Sequence, residues 1–208
     1  MKYNNRKTHF SAILLMSIGC SLVIGCGSGW QEEEKHLLES QPMVLHVLSI
    51  DNPQENEVLR SKSESVTDAM VSDKTYSMLA AKLLATVQAP DYDGVGIAAP
   101  QVGILRRVVA VMRYDKEGNP FEVYPDIRIT AFNGEMIPGP EGCLSVPEKR
   151  GQVERYRDIE ISYISPHTLK DTTERVTGFT AVIFQHECDH LDGIVYVDKG
   201  FDIKDIDE

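Results

Sequence analysis

The chain has 208 residues, with 21 Lys+Arg against 32 Asp+Glu and a formal charge of −11. Its 42% hydrophobic and 25% charged residues are ordinary for a globular domain. They exclude a largely disordered chain, a collagen-like fibre and a multi-span membrane protein, and net acidity without a Lys/Arg-rich block argues against nucleic acid as a partner.

Residues 1–25 read as an address. Lys2, Arg6 and Lys7 open the segment, no acidic residue precedes Glu32, and residues 10–24 are mostly apolar. Charge followed by an apolar run is the layout of a secretory signal. Gly, Ser and Cys interrupt the run too soon for a spanning helix. Its end, Val23-Ile24-Gly25-Cys26, resembles the bacterial lipobox. That resemblance implies lipidation of Cys26 and a membrane-anchored lipoprotein of the cell envelope. The alternative is a cytoplasmic protein that starts at Met43. Residues 26–42, with Gly27, Gly29 and the run Glu32, Glu33, Glu34, read as a solvated acidic tether. Residues 43–208 are then the folded domain.

Pro53 and residues 54–65 read as extended loop. Over residues 68–87, Ala69, Met70, Tyr76, Leu79, Ala80, Leu83 and Leu84 recur at helical spacing and predict one amphipathic helix. Pro90 and Asp93-Gly94 end it. Val108–Met112 is a short apolar strand, and residues 116–120 form a turn. Residues 123–131 and 153–164 alternate as strands do, and Asn133-Gly134 predicts a hairpin turn. Residues 177–191 read as a second helix, stopped near Gly193. Residues 195–197 make a last short strand, and the acidic tail from Phe201 a further strand or a frayed end. Helix, several strands, then helix argues for an α+β fold with mostly antiparallel pairing.

The sharpest chemical signal is Gln185-His186-Glu187-Cys188-Asp189-His190. Two His at i and i+4 lie about 40° apart around a helix, one turn along it, so both rings reach one ion. Glu187 lies about 100° from His186 and can sit beside the ion without binding it. This is the logic of zinc-hydrolase helices, where two imidazoles hold the metal and a carboxylate handles the proton of a water. An open tetrahedral site needs a third protein ligand. No His or Cys follows His190; Asp192, Asp198, Asp202 and Asp205 stay open as ligands, though none sits in a recognisable pattern. Upstream, Glu141-Gly142-Cys143-Leu144-Ser145 offers the Cys143 thiolate. Cys188, about 200° round the helix from His186, faces away from the metal and reads as a small buried residue. A Cys143–Cys188 disulfide is therefore not expected.

Three segments together, Gly94-Val95-Gly96-Ile97-Ala98-Ala99-Pro100-Gln101, Glu141-Gly142-Cys143-Leu144-Ser145 and Gln185-His186-Glu187-Cys188-Asp189-His190, resemble the motifs of the peptide deformylase family, in order and over about residues 48–197. The resemblance implies antiparallel β-sheets packed around a central metal-binding helix. It implies Cys143, His186 and His190 as metal ligands and Glu187 as general base and then general acid. Gln101, through its side-chain amide, and Leu144, through its backbone N–H, become oxyanion donors. Gly96 and Ile97 would lie along the peptide and help form the methionine pocket. Arg150 would contact the peptide, and Glu141 with Arg155 would brace the site.

The implied reaction hydrolyses the formyl amide of N-terminal formyl-methionine and releases formate. The implied cofactor is one divalent ion, Fe2+, with Zn2+ as the alternative that the ligand types suit. The partners are N-formyl-methionyl peptides or proteins, with a lipid anchor to membrane, no nucleic acid, and a monomeric chain. An exported member would meet secreted formyl peptides rather than chains leaving the ribosome. The rival reading is a non-catalytic, envelope-tethered formyl-peptide binder. Such a binder has no need of Glu187.

Overall fold

A computed structural model describes residues 29–206. The signal reading of residues 1–25 and the lipidation of Cys26 lie outside the described residues. Among those described, no helix is long and apolar enough to cross a membrane.

Among the described residues five α-helices run in chain order: α1 (Glu32–Ser40), α2 (Pro53–Leu59), α3 (Asp68–Val71), α4 (Lys74–Val87) and α5 (Gly178–Leu191). The strands are β1 (Gly96–Ala98), β2 (Val108–Met112), β3 (Phe121–Pro125), β4 (Arg128–Cys143), β5 (Val146–Ile164), β6 (Asp171–Thr177) and β7 (Phe201–Asp205). Strands β1, β2 and β3 form one antiparallel sheet. A second is ordered β4-β5-β6, with β7 added to β5, and every pairing in it is antiparallel. The fold is α+β, as the element order implied.

Helix α5 sits at the centre and packs against β1, β2 and β5. Most of its residues are buried, as expected of a helix with protein on nearly all sides. Two apolar cores flank the small sheet. In one, Leu79 and Leu83 of α4 meet Ile97, Val108 and Ala110. In the other, Val109 and Val111 meet Ile159, Ile161, Phe184 and Cys188. Successive residues of β2 thus feed opposite faces, the period of two that a strand imposes.

Several expectations need correction. Residues 54–65 are not all loop: Asn52 accepts from the N–H groups of Gln54 and Glu55, and Pro53 occupies the first turn of α2, a good start for a helix. The helix expected over 68–87 is two, because the Asp73 side chain accepts from Thr75 N at 2.7 Å and caps α4 afresh. The strand expected over 123–131 breaks at Asp126, which is left-handed at φ 52. Asn133-Gly134 does not turn a hairpin. Gly134, at φ 78, lies within β4, where the register against β5 shifts between Asn133 and Met136, so its left-handed conformation makes a bulge. Tyr196–Asp198 is a 3-10 turn rather than a strand, and the acidic tail is strand β7.

The expected tether is also corrected over the described part of it. Trp30 and Leu38 are buried against the first core, and Trp30 Nε1 donates to Met70 O at 3.1 Å. Arg106, itself buried, donates to both carboxylate oxygens of Glu34, at 2.7 and 3.0 Å. The Glu run supplied the first turn of α1, where acidic side chains complement the helix dipole. One aromatic anchor and one buried ion pair dock that helix on the domain.

Candidate metal centre

Gly178, at φ 68, turns the chain from β6 into α5. One face of α5 then presents Phe179, Val182, Ile183, His186 and Glu187 to a cleft of about 660 Å3. The opposite wall comes from the end of β4 and the start of β5. A register shift between Glu141 and Cys143 re-aims the strand end, a use to which bulges beside active sites are put. As a result Cys143 and Glu141 both reach α5.

The side-chain ligand atoms of Cys143, His186 and His190 lie within 4.8 Å of one another. Cys143 Sγ is 3.1 Å from His190 Nε2, and the two imidazoles stand edge to face with centroids 5.1 Å apart. His186 Nδ1 contacts Glu141 at 2.8 Å, which leaves Nε2 for the cluster. Glu141 accepts in turn from Arg155 Nε at 2.8 Å and Nη2 at 3.1 Å. Arg155 Nη1 reaches Asp189 at 2.5 Å, and Lys199 covers the other oxygen of Asp189 at 2.6 Å. This chain of charge ties β4 and β5 to α5 directly behind the ligands. The brace expected of Glu141 and Arg155 is present. The contacts to His186 and Asp189 were not foreseen, because they join residues far apart in sequence.

Electrostatics follow from burial and these contacts. Burial works against the Glu141 carboxylate, but hydrogen bonds from His186 and Arg155 outweigh it and hold its pKa at about 2. Burial likewise opposes charge on His186, yet its bonds to Cys143 and Glu141 raise its pKa well above the ordinary value. His190 is driven well below the ordinary value by burial, and by the His186 charge, so it offers a lone pair. Burial pushes Glu187 up to about 7.

The residues fit a divalent ion. One cysteine sulfur and two imidazoles converge, a set that suits Zn2+ or Fe2+ by ligand type. Glu187 Oε2 is buried without a hydrogen-bond partner among the described residues, as a carboxylate awaiting a polar ligand would be.

Gln101 stands on the 3-10 turn that follows β1. Its Oε1 accepts from Ala98 N at 2.8 Å, which fixes the amide. Its Nε2 then points to Ser145 Oγ at 3.2 Å and Cys143 Sγ at 3.6 Å. Leu144 occupies the turn between β4 and β5, and it lines the cleft with Gly96 and Arg150. Gly96 packs directly on the site: a Cβ there would come within 2.9 Å of Glu187 Cδ and 2.8 Å of Ile183 Cγ2. Ile97 departs from expectation. Its side chain is fully buried in the first core and does not line the cleft, because neighbouring residues of a strand face opposite sides. Cys188 lies in the second core and both described cysteines are free, as the helix geometry required.

The family model for polypeptide deformylase matches residues 44–205. The chain belongs to the peptide deformylase family. It is 34% identical over 163 residues to the peptide deformylase of Leptospira biflexa, covering 75% of this chain and 87% of that one. Against the enzyme of Halothermothrix orenii it is 37% identical over 156 residues, with 75% and 93% covered. Among solved structures, the Thermotoga maritima peptide deformylase superposes with a TM-score of 0.65 at 31% identity, covering 75% of this chain and 97% of that one. The class I type b peptide deformylase of Acinetobacter baumannii, solved with Met-Ala-Ser bound, gives 0.66 at 34% identity, with 75% and 98% covered. This chain is an enzyme, a peptide deformylase. Helix α1 and Trp30 precede the matched region, so the deformylase domain here carries a docked N-terminal addition.

Proposed function

We propose that this deformylase removes the formyl group from N-terminal formyl-methionine through a divalent ion held by Cys143, His186 and His190, Fe2+ with Zn2+ as the alternative. The observation that carries the reading is the convergence of those three ligand atoms within 4.8 Å beside a buried carboxylate. When bound, the ion supplies Lewis acidity and brings the pKa of a bound water towards about 7.

The protein residues do the rest. Glu187 takes a proton from water and delivers it to the departing amine. Its pKa of about 7 suits both halves of that exchange at neutral pH. Gln101 Nε2, oriented by its bond from Ala98, and the Leu144 N–H donate to the formyl oxygen as it gains charge. Each such donor is worth on the order of 10²–10³ in rate. Gly96 lets β1 pack closely on α5 beside Glu187, and Val182 and Ile183 offer apolar surface to the methionine side chain. The bound Met-Ala-Ser of the A. baumannii relative is the peptide that deformylation of formyl-Met-Ala-Ser leaves, which supports this reading.

Location belongs to the same proposal. The lipobox-like Val23-Ile24-Gly25-Cys26 supports an envelope lipoprotein anchored at Cys26. Only Gly27 and Ser28 separate Cys26 from Gly29, a span of at most about 11 Å. An anchored domain, docked through α1, then stands close to the membrane and meets exported formyl peptides. Lipid labelling in cells that is lost in Cys26→Ala tests this part.

The reaction is tested by formate release from formyl-Met-Ala-Ser under anaerobic conditions, with the enzyme loaded with Fe2+ or Ni2+. Turnover is expected, and Glu187→Ala should keep the metal while losing at least ~10²-fold in rate. A folded, metal-loaded enzyme that releases no formate would sink the proposal.

A further inference from the structure

Strand β7 ends on the cleft. Its register pairs Phe201 with Gln152, Lys204 with Arg150 and Asp205 with Lys149. One residue on, Ile206 N donates to Glu148 O at 2.7 Å, and Ile206 lines the same cleft as Cys143, His186 and Glu187. The seat is built into β5. A Cβ on Gly151 would come within 2.9 Å of Ile203 Cγ1 and 3.3 Å of Phe201 O, so only glycine lets β7 lie this close. Lys149 Nζ and Asp205 meet at 2.8 Å, but that exposed pair adds little. The backbone ladder and the glycine fit hold the tail.

The placement leaves an apolar, β-branched side chain at the rim, 55% exposed. Its neighbours along the cleft wall, Glu148, Lys149 and Arg150, are all charged. A peptide whose formyl end lies at Cys143, His186 and Glu187 advances by about 3.3 Å per residue when extended. In the proposed reaction its first side chain would meet Val182 and Ile183 on α5, and the residues after it would run outward along the cleft that Ile206 also lines.

We propose that Ile206 is a specificity-determining residue, forming an apolar outer wall that selects apolar side chains downstream of the N-terminal methionine. The inference rests on the deformylase reading above. The tail thus serves substrate choice as well as sheet closure.

Four substrates separate these roles in the full-length, metal-loaded enzyme: formyl-Met amide and the amides of formyl-Met-Leu-Leu, formyl-Met-Ser-Ser and formyl-Met-Asp-Asp. The parent should prefer Leu-Leu over Ser-Ser. Ile206→Ala and Ile206→Asp should lower kcat/KM for the Leu-Leu peptide by about 5-fold relative to formyl-Met amide, mostly through KM, as loss of part of an apolar contact predicts. Ile206→Lys should shift preference towards a formyl-Met-Asp-Asp amide. Equal losses on all substrates would show a purely structural tail and overturn the proposal, as would unaltered preference in Ile206→Asp. A parent that turns over none of the substrates would instead overturn the underlying reading.

Discussion

The Nδ1 of His186 and the Glu141 carboxylate meet at 2.8 Å, and this contact decides which nitrogen of His186 faces Cys143. Outer partners of this kind set the tautomer and orientation of a ligating imidazole. Glu141→Gln keeps the shape but removes the charge. Metal affinity should fall by about 10–100-fold, measured by competition with a chelator. Unchanged affinity would reduce Glu141 to a partner of Arg155 alone.

The same carboxylate predicts an acid transition. Its folded-state pKa is about 2, below the ordinary 4.5. A depressed pKa contributes stability that is present above about pH 4.5 and lost as pH falls towards 2. The gap corresponds to about 3 kcal/mol at full ionisation. Denaturant midpoints of parent and Glu141→Gln, both metal-free, should differ at pH 6 and converge as pH falls below 4. A difference as large near pH 2 as at pH 6 would show that the Glu141 charge is not the source of the stability.

The two described cysteines should behave oppositely. Burial pushes the Cys188 thiol up to about 12 within the second core, so almost none is thiolate at neutral pH, and the thiolate is the reactive form. Cys143 faces the cleft. Iodoacetamide on metal-free enzyme, read by mass spectrometry of peptides, should label Cys143 and leave Cys188 untouched. Loading with Zn2+ should protect Cys143. Labelling of Cys188 at a comparable rate would contradict the packing described.

Gly96 tests how closely the cleft wall must approach α5. A Cβ there would sit 2.8 Å from Ile183 Cγ2 and 2.9 Å from Glu187 Cδ, too close for real atoms. Gly96→Ala should cost about 1–3 kcal/mol through overpacking and displace Glu187. We expect kcat to fall by more than ~10²-fold with metal content preserved. Normal turnover would mean that the carboxylate tolerates displacement.

What the sequence made legible was local or nearly so. His186 and His190 share a helix face by spacing alone, and Cys143 was assigned as third ligand by the resemblance to the peptide deformylase motifs. Contacts that tertiary packing creates were not legible. Glu141 meets His186 only because β4 bulges towards α5. Asn133-Gly134 has the composition of a hairpin turn, yet β5 continues alongside it and pairing overrides turn preference. Ile97 sits in a motif that lines the cleft, but the alternation of β1 turns its side chain into the core. The approach of Ile206 to the cleft depends on Gly151, whose fit to β7 has no sequence signature. Trp30 was masked by its polar and glycine-rich neighbours.

That last residue carries a prediction about where the folded unit begins. Trp30 is buried against Met70, and the Arg106 guanidinium lies 5.8 Å from its ring centroid. Without residues 29–42, Arg106 loses Glu34 and keeps Glu64, whose side chain is 73% exposed. A buried guanidinium with its best partner removed is costly, and loss of Trp30 and Leu38 opens the first core. Trp30→Ala alone should destabilise by about 3–5 kcal/mol, and a chain started at Met43 should lose more. Both effects can be read as denaturant midpoints, with no change expected in the metal ligands, which lie on α5 and β4. A Met43 chain as stable as the parent would return α1 to the status of a tether. A destabilised one would make residues 29–42 part of the domain, and a start at Met43 would then leave it incomplete.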